Sequence, residues 1–325
     1  LENIIEARIT AVLKESYLLD INGESSRGVL SGKLMYKEEY PVVGDMVDAV
    51  FYPGSDAVIT SIRERRTYLA RPDKGGRADN YTNFVSMQPM VANADLLFII
   101  CSLNANFNPR RIIRYAAIAS NGGVKPVAVL TKCELCPDRE EKLAELRALD
   151  PALETVCVSS YTGEGIGELR KYLTPGSIIA LMGSSGVGKS TLINTLAGRE
   201  LMETGGIREK DAKGRHTTTH RQMFELDGTW LIDTPGMREL GIHDVDEGIN
   251  ESFADIAELM TRCRFSDCSH NGEPGCAVRA ALDDGRLSPE RLKLFFDLKN
   301  ESGAFKGKRG SKMIEIAKKK KQLRS

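Results

Sequence analysis

The stretch Gly183-Ser184-Ser185-Gly186-Val187-Gly188-Lys189-Ser190 fits the pattern G-x-x-x-x-G-K-[ST] of a phosphate-binding loop, and it constrains the chain more than any other feature. An apolar run, Ser177 to Met182, leads into it and reads as a buried strand. Thr191 to Leu196 follows and reads as the start of a helix. The glycines let the backbone curl so that several N–H groups converge on one anion, and the helix N-terminus adds its partial positive charge. Lys189 is expected to reach the outer phosphates, Ser190 to place its hydroxyl on Mg²⁺, and Thr191 to complete the cradle. The alternative, a Gly/Ser-rich turn before an ordinary helix, does not need all eight positions and both flanks to agree.

The 325 residues allow two or three domains. Lys and Arg (45) balance Asp and Glu (45), so any affinity for nucleic acid must come from local patches. The longest apolar run, Ala94 to Leu103, is too short to cross a bilayer, and no membrane association is expected. No signal peptide is visible. Seven cysteines are an odd number in a chain of this size, which favours a reducing, cytoplasmic setting and a metal site over a disulfide framework.

The first 66 residues read as β-rich. Candidate strands are Glu6 to Val12, Ser16 to Asp20, Gly28 to Leu30, Asp45 to Val50 and Ala57 to Ile62, with a hairpin turn at Asn22-Gly23. Five short strands suggest a small β-barrel, with an OB-fold as first choice. Such barrels often bind RNA, and a structural or protein-docking barrel is the alternative. Residues 67–80, with the arginines at 63–66 just before them, read as a charged linker that is either solvated or in contact with RNA phosphates. From residue 81 to about 245 the pattern is α/β. Strands Ala94 to Cys101, Pro126 to Leu130 and Thr155 to Val158 alternate with helices at Pro109 to Ala119 and Arg139 to Leu149. This spacing predicts a parallel sheet with helices on both faces.

Two loops at strand ends resemble the base-recognition pair of GTPases, N/T-K-x-D and S-A-x. They are Thr131-Lys132-Cys133-Glu134 and Ser159-Ser160. In that family the acidic residue accepts hydrogen bonds from guanine N1–H and its exocyclic amine, and the lysine stem packs over the ring. Here Thr131 stands for the common Asn and Glu134 for the usual Asp, so guanine preference is expected with reduced affinity. Cys133 and Cys136 also form a C-x-x-C pair, open to a redox or zinc role. After the phosphate loop, Gly214-Arg215-His216-Thr217-Thr218-Thr219 looks like switch I. Thr218, or one of its neighbours, should meet Mg²⁺ there. Asp233-Thr234-Pro235-Gly236 is a D-x-x-G motif, with Asp233 holding Mg²⁺ through water and the Gly236 N–H meeting the γ-phosphate. Met237 stands where a water-orienting glutamine is usual. Three readings stay open: His216 orients the water, a partner supplies the group, or hydrolysis is slow. Base recognition comes before the phosphate loop in this chain, so the nucleotide domain is circularly permuted.

From residue 246 to 325 helices are expected at about Ile249 to Met260, Ala277 to Asp284 and Pro289 to Leu298, flanking Cys263, Cys268, His270 and Cys276. Their spacing, C-x4-C-x-H-x5-C, supplies the donors of one closed structural Zn²⁺ site. The tail from Lys306 is strongly basic and reads as a phosphate-binding or solvated segment.

Permuted GTPase motifs between a small β-barrel and a Cys/His module resemble the ribosome small-subunit-dependent GTPase A family (RsgA, also called YjeQ or YloQ), over almost the whole chain. The resemblance implies GTP as substrate and GDP as product. It also implies Mg²⁺ and Zn²⁺, and the 30S subunit with its 16S rRNA as partner. The chain is then expected to be a cytoplasmic monomer acting late in subunit maturation and stimulated by the subunit. Two other classes remain: a P-loop kinase or ATPase, and a nucleotide-gated RNA-binding scaffold with little turnover.

Overall fold

In a computed structural model of the chain, residues 4–52, 54–72, 87–104, 107–202, 222–233 and 245–302 are described. The first strands are β1 (Ile4–Val12), β2 (Tyr17–Ile21) and β3 (Glu24–Leu30), followed by a short helix α1 (Gly32–Tyr36), then β4 (Met46–Val50) and β5 (Ala57–Ile62). Asn22 and Gly23 both take positive φ (54° and 92°), which a two-residue hairpin turn between right-twisted strands requires. Antiparallel pairing runs β1–β2, β2–β3, β4–β5 and β1–β4, and β3 pairs with β5 in parallel, so the five strands close. This is the OB-type barrel expected. Inward-facing Ala7, Ile9, Leu19, Val47, Ala49 and Ile59 fill it, and α1 contributes Leu34 as a plug. Ser31 caps α1 by accepting from the Leu34 N–H at 3.5 Å.

The described part of the segment read as a linker, residues 67–72, carries regular structure. Tyr68–Pro72 is strand β6, paired antiparallel with β7 (Met87–Ala92). Arg65 and Arg66 are committed inside the protein. Arg65 forms a bidentate pair, both contacts 2.7 Å, with Asp45, which is fully buried in the barrel rim. Arg66 reaches Asp95 at 3.2 Å. Asn93 ties the barrel to this region, its amide donating to the Gly44 carbonyl at 3.0 Å and its side-chain oxygen accepting from the Arg66 N–H at 2.9 Å. Gly44 must be glycine: a Cβ would lie 2.0 Å from the Ala92 carbonyl oxygen.

The α/β part follows as β8 (Leu96–Ser102), α2 (Pro109–Asn121), β9 (Lys125–Thr131), α3 (Arg139–Leu149), β10 (Thr155–Val158), α4 (Ile166–Arg170), β11 (Ile178–Gly183), α5 (Lys189–Ala197), β12 (Gln222–Leu226) and β13 (Thr229–Asp233). Strand order is β10-β9-β8-β11-β13-β12, all parallel except β12. Alternate residues of the buried strands enter two cores. Leu97, Ile99, Ala128, Leu130 and Ala180 face α2 and α3. Phe98, Ile100, Val127, Val129, Ile179 and Leu181 face α4 and α5. This two-sided burial is why the strands read as continuous apolar runs. At the far edge β12 meets β1 at Ala11–Gln222, so barrel and nucleotide sheet are continuous.

The C-terminal part is helical: α6 (Asp246–Ser252), α7 (Ala254–Thr261), α8 (Ala277–Asp283) and α9 (289–302). The helix expected from Ile249 to Met260 is broken at Phe253, a fully buried residue with non-helical φ and ψ. Among the described residues these helices have no separate core. Ile249, Phe253, Ile256, Val278 and Leu294 join the cluster that holds Ile112 and Ile113 of α2. Gly248 allows α6 to sit on α2, because a Cβ there would come within 2.0 Å of the Ala117 oxygen. Arg291 is 5% exposed and pairs with Asp255, donates to the Ser252 carbonyl at 3.0 Å and also to the Leu149 carbonyl, and lies over the Phe253 ring. It thereby joins α9, α7 and the end of α3.

Candidate nucleotide site and cysteine–histidine cluster

The C-terminal ends of β8, β9, β11 and β13 point the same way, and the loops they carry meet there, as binding loops do in parallel sheets. The phosphate loop leaves β11 at Gly183, where a Cβ would stand 2.9 Å from the Ile100 carbonyl oxygen. Gly186 and Gly188 have φ of 79° and 91°, a region other residues rarely adopt. Ser184, Ser185, Ser190 and Thr191 are partly or fully exposed on this loop and the first turn of α5, whereas Val187 is buried and anchors it. Lys189 contacts the carboxylate of Asp233 at the end of β13. A hydroxyl (Ser190) and a carboxylate (Asp233) bracketing the loop are hard oxygen donors of the kind Mg²⁺ takes with substrate phosphates, so these residues fit that ion. His216, Thr218 and Gly236 lie outside the described residues, as do Met237 and the basic tail.

The turn after β9, expected from the sequence to recognise a base, folds directly onto this loop. Thr131 ends β9, is 3% exposed, and donates its hydroxyl to the Val187 carbonyl. Thr131 therefore bridges to the phosphate loop from the position where GTPases usually carry Asn. Lys132 takes left-handed φ (59°), and its ammonium donates to the Gly186 carbonyl at 2.8 Å, laying its stem across the loop. Glu134 is exposed on the 3-10 turn Cys133–Leu135. Ser159 is buried, and its hydroxyl accepts from the N–H groups of Tyr161 and Thr162 at 3.2 and 3.0 Å, shaping the loop that presents Ser160. The C-x-x-C pair is divided between two sets of partners. The Cys133 thiol donates to Glu164 at 3.5 Å and the Cys136 thiol to Asp138 at 3.2 Å. Burial, then the Glu164 charge, pushes the Cys133 thiol above its ordinary value, which disfavours the thiolate that redox or zinc chemistry requires.

Two residues of this site escaped the sequence reading. One is Arg111, which lines a cavity of about 260 Å³ with Ile100, Cys101, Tyr115, Gly183 and Ser184, between β8, β11 and α2. A signal existed: the first turn of α2 carries arginines and no acidic residue, against the helix dipole. The other is Glu164, whose sequence neighbours are glycines and give no hint of its partners.

In the C-terminal part, Cys263, Cys268, His270 and Cys276 offer ligand atoms all within 4.8 Å of one another. His270 Nδ1 lies 3.6 Å from Cys263 Sγ and 3.5 Å from Cys276 Sγ, and the two sulfurs are 4.0 Å apart. A tetrahedral Zn²⁺ with bonds of about 2.3 Å to sulfur and about 2.05 Å to nitrogen separates its ligands by about 3.8 Å and about 3.6 Å. The donors fit that ion, and Nδ1 is the imidazole nitrogen they select. Glu273 shapes the loop by accepting from the backbone N–H groups of Ser269 (2.9 Å) and Asn271 (2.8 Å) and from the Ser269 hydroxyl. Those bonds, the hydroxyl's first, hold its carboxyl down at about 2.

A family model described as RsgA GTPase matches residues 62–243. A small ribosomal subunit biogenesis GTPase RsgA 2 of Lactiplantibacillus plantarum is 45% identical over 284 residues, 86% of this chain and 78% of that one. A small ribosomal subunit biogenesis GTPase RsgA of Xylella fastidiosa is 46% identical over 267 residues, 82% and 74% of the two chains. The crystal structure of YjeQ from Thermotoga maritima has a TM-score of 0.69 at 25% identity, covering 91% of this chain and 97% of that one. That of YloQ, a circularly permuted GTPase, shows the same fold with a TM-score of 0.65 at 22% identity, over 92% and 95%. The matched span includes residues 131–134, 159–160 and 183–190, and this chain belongs to the RsgA GTPase family.

Proposed function

We propose that the chain hydrolyses GTP to GDP and phosphate on the small ribosomal subunit and acts in the late maturation of that subunit. The observation that carries the GTP reading is the direct docking of the base-recognition turn on the phosphate loop, through Thr131 to Val187 and Lys132 to Gly186. One nucleotide can then meet both, its base at Glu134 and Ser160 and its phosphates at the amides of residues 183–190 and Lys189. Ser190, Thr218 and Asp233 are the residues that would hold Mg²⁺, which when bound draws charge from the phosphate oxygens. The Gly236 N–H meets the γ-phosphate, and His216 orients the attacking water, since the Met237 thioether cannot polarise it. Cys263, Cys268, His270 and Cys276 hold one structural Zn²⁺.

The subunit as partner rests on the names of the relatives. Exposed Tyr36, Tyr40 and Tyr52 on the barrel support contact with unpaired bases of the 16S rRNA, because aromatic faces stack on any base. Among the described residues no helix is long and apolar enough to cross a membrane. A cytoplasmic monomer belongs to the same proposal, as the state in which a factor acting on the small subunit would meet it.

Phosphate release from GTP and from ATP, each with and without purified 30S subunits, tests this. GTP-selective release that rises with 30S is expected. ATP use, or GTP turnover indifferent to 30S, overturns it. GTP binding with negligible turnover in both arms would favour the nucleotide-gated scaffold that Met237 keeps open.

A further inference from the structure

We propose that Glu164 is a positioning residue for guanine recognition. Through Cys133 and Arg139 it fixes the spacing between the turn that carries Glu134 and the loop that carries Ser159 and Ser160. The inference rests on reading the site as guanine-binding.

Glu164 belongs to one loop by its backbone and to the other by its side chain. Its carbonyl accepts from the Ser159 N–H at 2.9 Å. Its carboxylate accepts from the Cys133 thiol at 3.5 Å on one oxygen and from the Arg139 guanidinium at 2.6 Å on the other. Cys133 directly precedes Glu134 in the 3-10 turn, and Arg139 opens α3. The backbone that presents Glu164 is itself fixed. Gly165 has φ of 72°, and a Cβ on it would lie 1.9 Å from the Cys157 carbonyl oxygen, so this loop is pressed against β10.

The chemistry of the pair suits a permanent link. Cys133 is 3% exposed, and its raised thiol remains a donor at neutral pH. Arg139 and Glu164 are 34% and 50% exposed, and an ion pair so solvated adds little to stability. Its effect is on geometry. Guanine needs a carboxylate at N1–H and the amine while an N–H from the other loop meets O6, and such constellations tolerate displacements of only about 0.5 Å. Glu134 is one methylene longer than aspartate, so its turn has to be held from outside.

The test uses full-length protein and fluorescent GDP, with xanthosine diphosphate as the competitor lacking the exocyclic amine. In Glu164→Ala the Kd for GDP is expected to rise about tenfold, and the preference for guanine over xanthine to shrink, as one charge-assisted link is lost. The KM for GTP rises with it while kcat at saturation stays within about twofold, the signature of lost ground-state positioning. Cys133→Ser, which keeps a donor, retains wild-type affinity, whereas Cys133→Ala shifts in the direction of Glu164→Ala. GDP affinity unchanged in Glu164→Ala overturns the proposal, as does an equal loss for both nucleotides with a lowered Tm. If the wild-type protein itself shows no guanine preference, the guanine reading fails as a whole. A selective wild type with an indifferent Glu164→Ala sinks only the role of Glu164.

Discussion

Lys189 donates to the Asp233 carboxylate, joining the first residue of α5 to the last residue of β13. Both side chains are largely shielded, at 17% and 20% exposure, so the cation stands in the phosphate loop with its charge little screened. Lys189→Ala is expected to lower kcat/KM for GTP by about 10²–10³, the usual cost of removing one donor from developing phosphate charge. Turnover measured against Mg²⁺ concentration separates the partners, because Asp233→Asn should raise the Mg²⁺ requirement. Wild-type turnover in Lys189→Ala would remove the loop from the reaction.

Thr131 offers a second handle. Its hydroxyl satisfies the carbonyl of buried Val187, and Thr131→Val keeps the shape while leaving that carbonyl without its donor. A loss of about 1–3 kcal/mol in unfolding free energy is expected. Urea unfolding reads it, and faster GDP release should accompany it. Unchanged stability would mean that the contact contributes nothing.

Purified protein should carry one zinc per chain, measured by atomic absorption. Cys268→Ser should lose it. Helices α6, α7, α8 and α9 share their apolar core with α2, so metal loss is expected to raise hydrogen exchange in residues 263–276 and leave the strands of the nucleotide sheet protected. Exchange that spreads through β8 and β11 would show that the metal supports the whole fold.

Tyr172 predicts an alkaline limit. Burial, then the 2.7 Å hydrogen bond it donates to Glu154, pushes its phenol up to about 12 from an ordinary 10.0. The folded value lies above the unfolded one, so the stabilisation is complete below pH 10 and is lost as pH rises through about 12. Melting between about pH 9 and about pH 11 should therefore fall more steeply in wild type than in Tyr172→Phe. Parallel curves would refute it.

Local chemistry made much of this legible. The hairpin at Asn22-Gly23, the apolar runs of β8, β9 and β11, and the Cys/His spacing each carry their signal within a few residues. Strands β6 and β7 escaped because each finds its partner across a long separation, and the arginines around β6 look solvated until Asp45 and Asp95 are placed beside them. Phe253 was read inside a helix because periodicity marks it as buried without revealing that the chain bends there. The core shared by α2 and α6 depends on Gly248 meeting Ala117, 131 positions earlier, and no local pattern encodes that.

The pairing of β1 with β12 also bears on solubility. A sheet edge is an open template for strands of other chains. One edge here ends in β10, only four residues long and so a poor template. The other ends in β12, whose first residue is met by Ala11 of a strand already committed to the barrel. The barrel stands as a stopper on that edge and makes the sheet end within its own molecule.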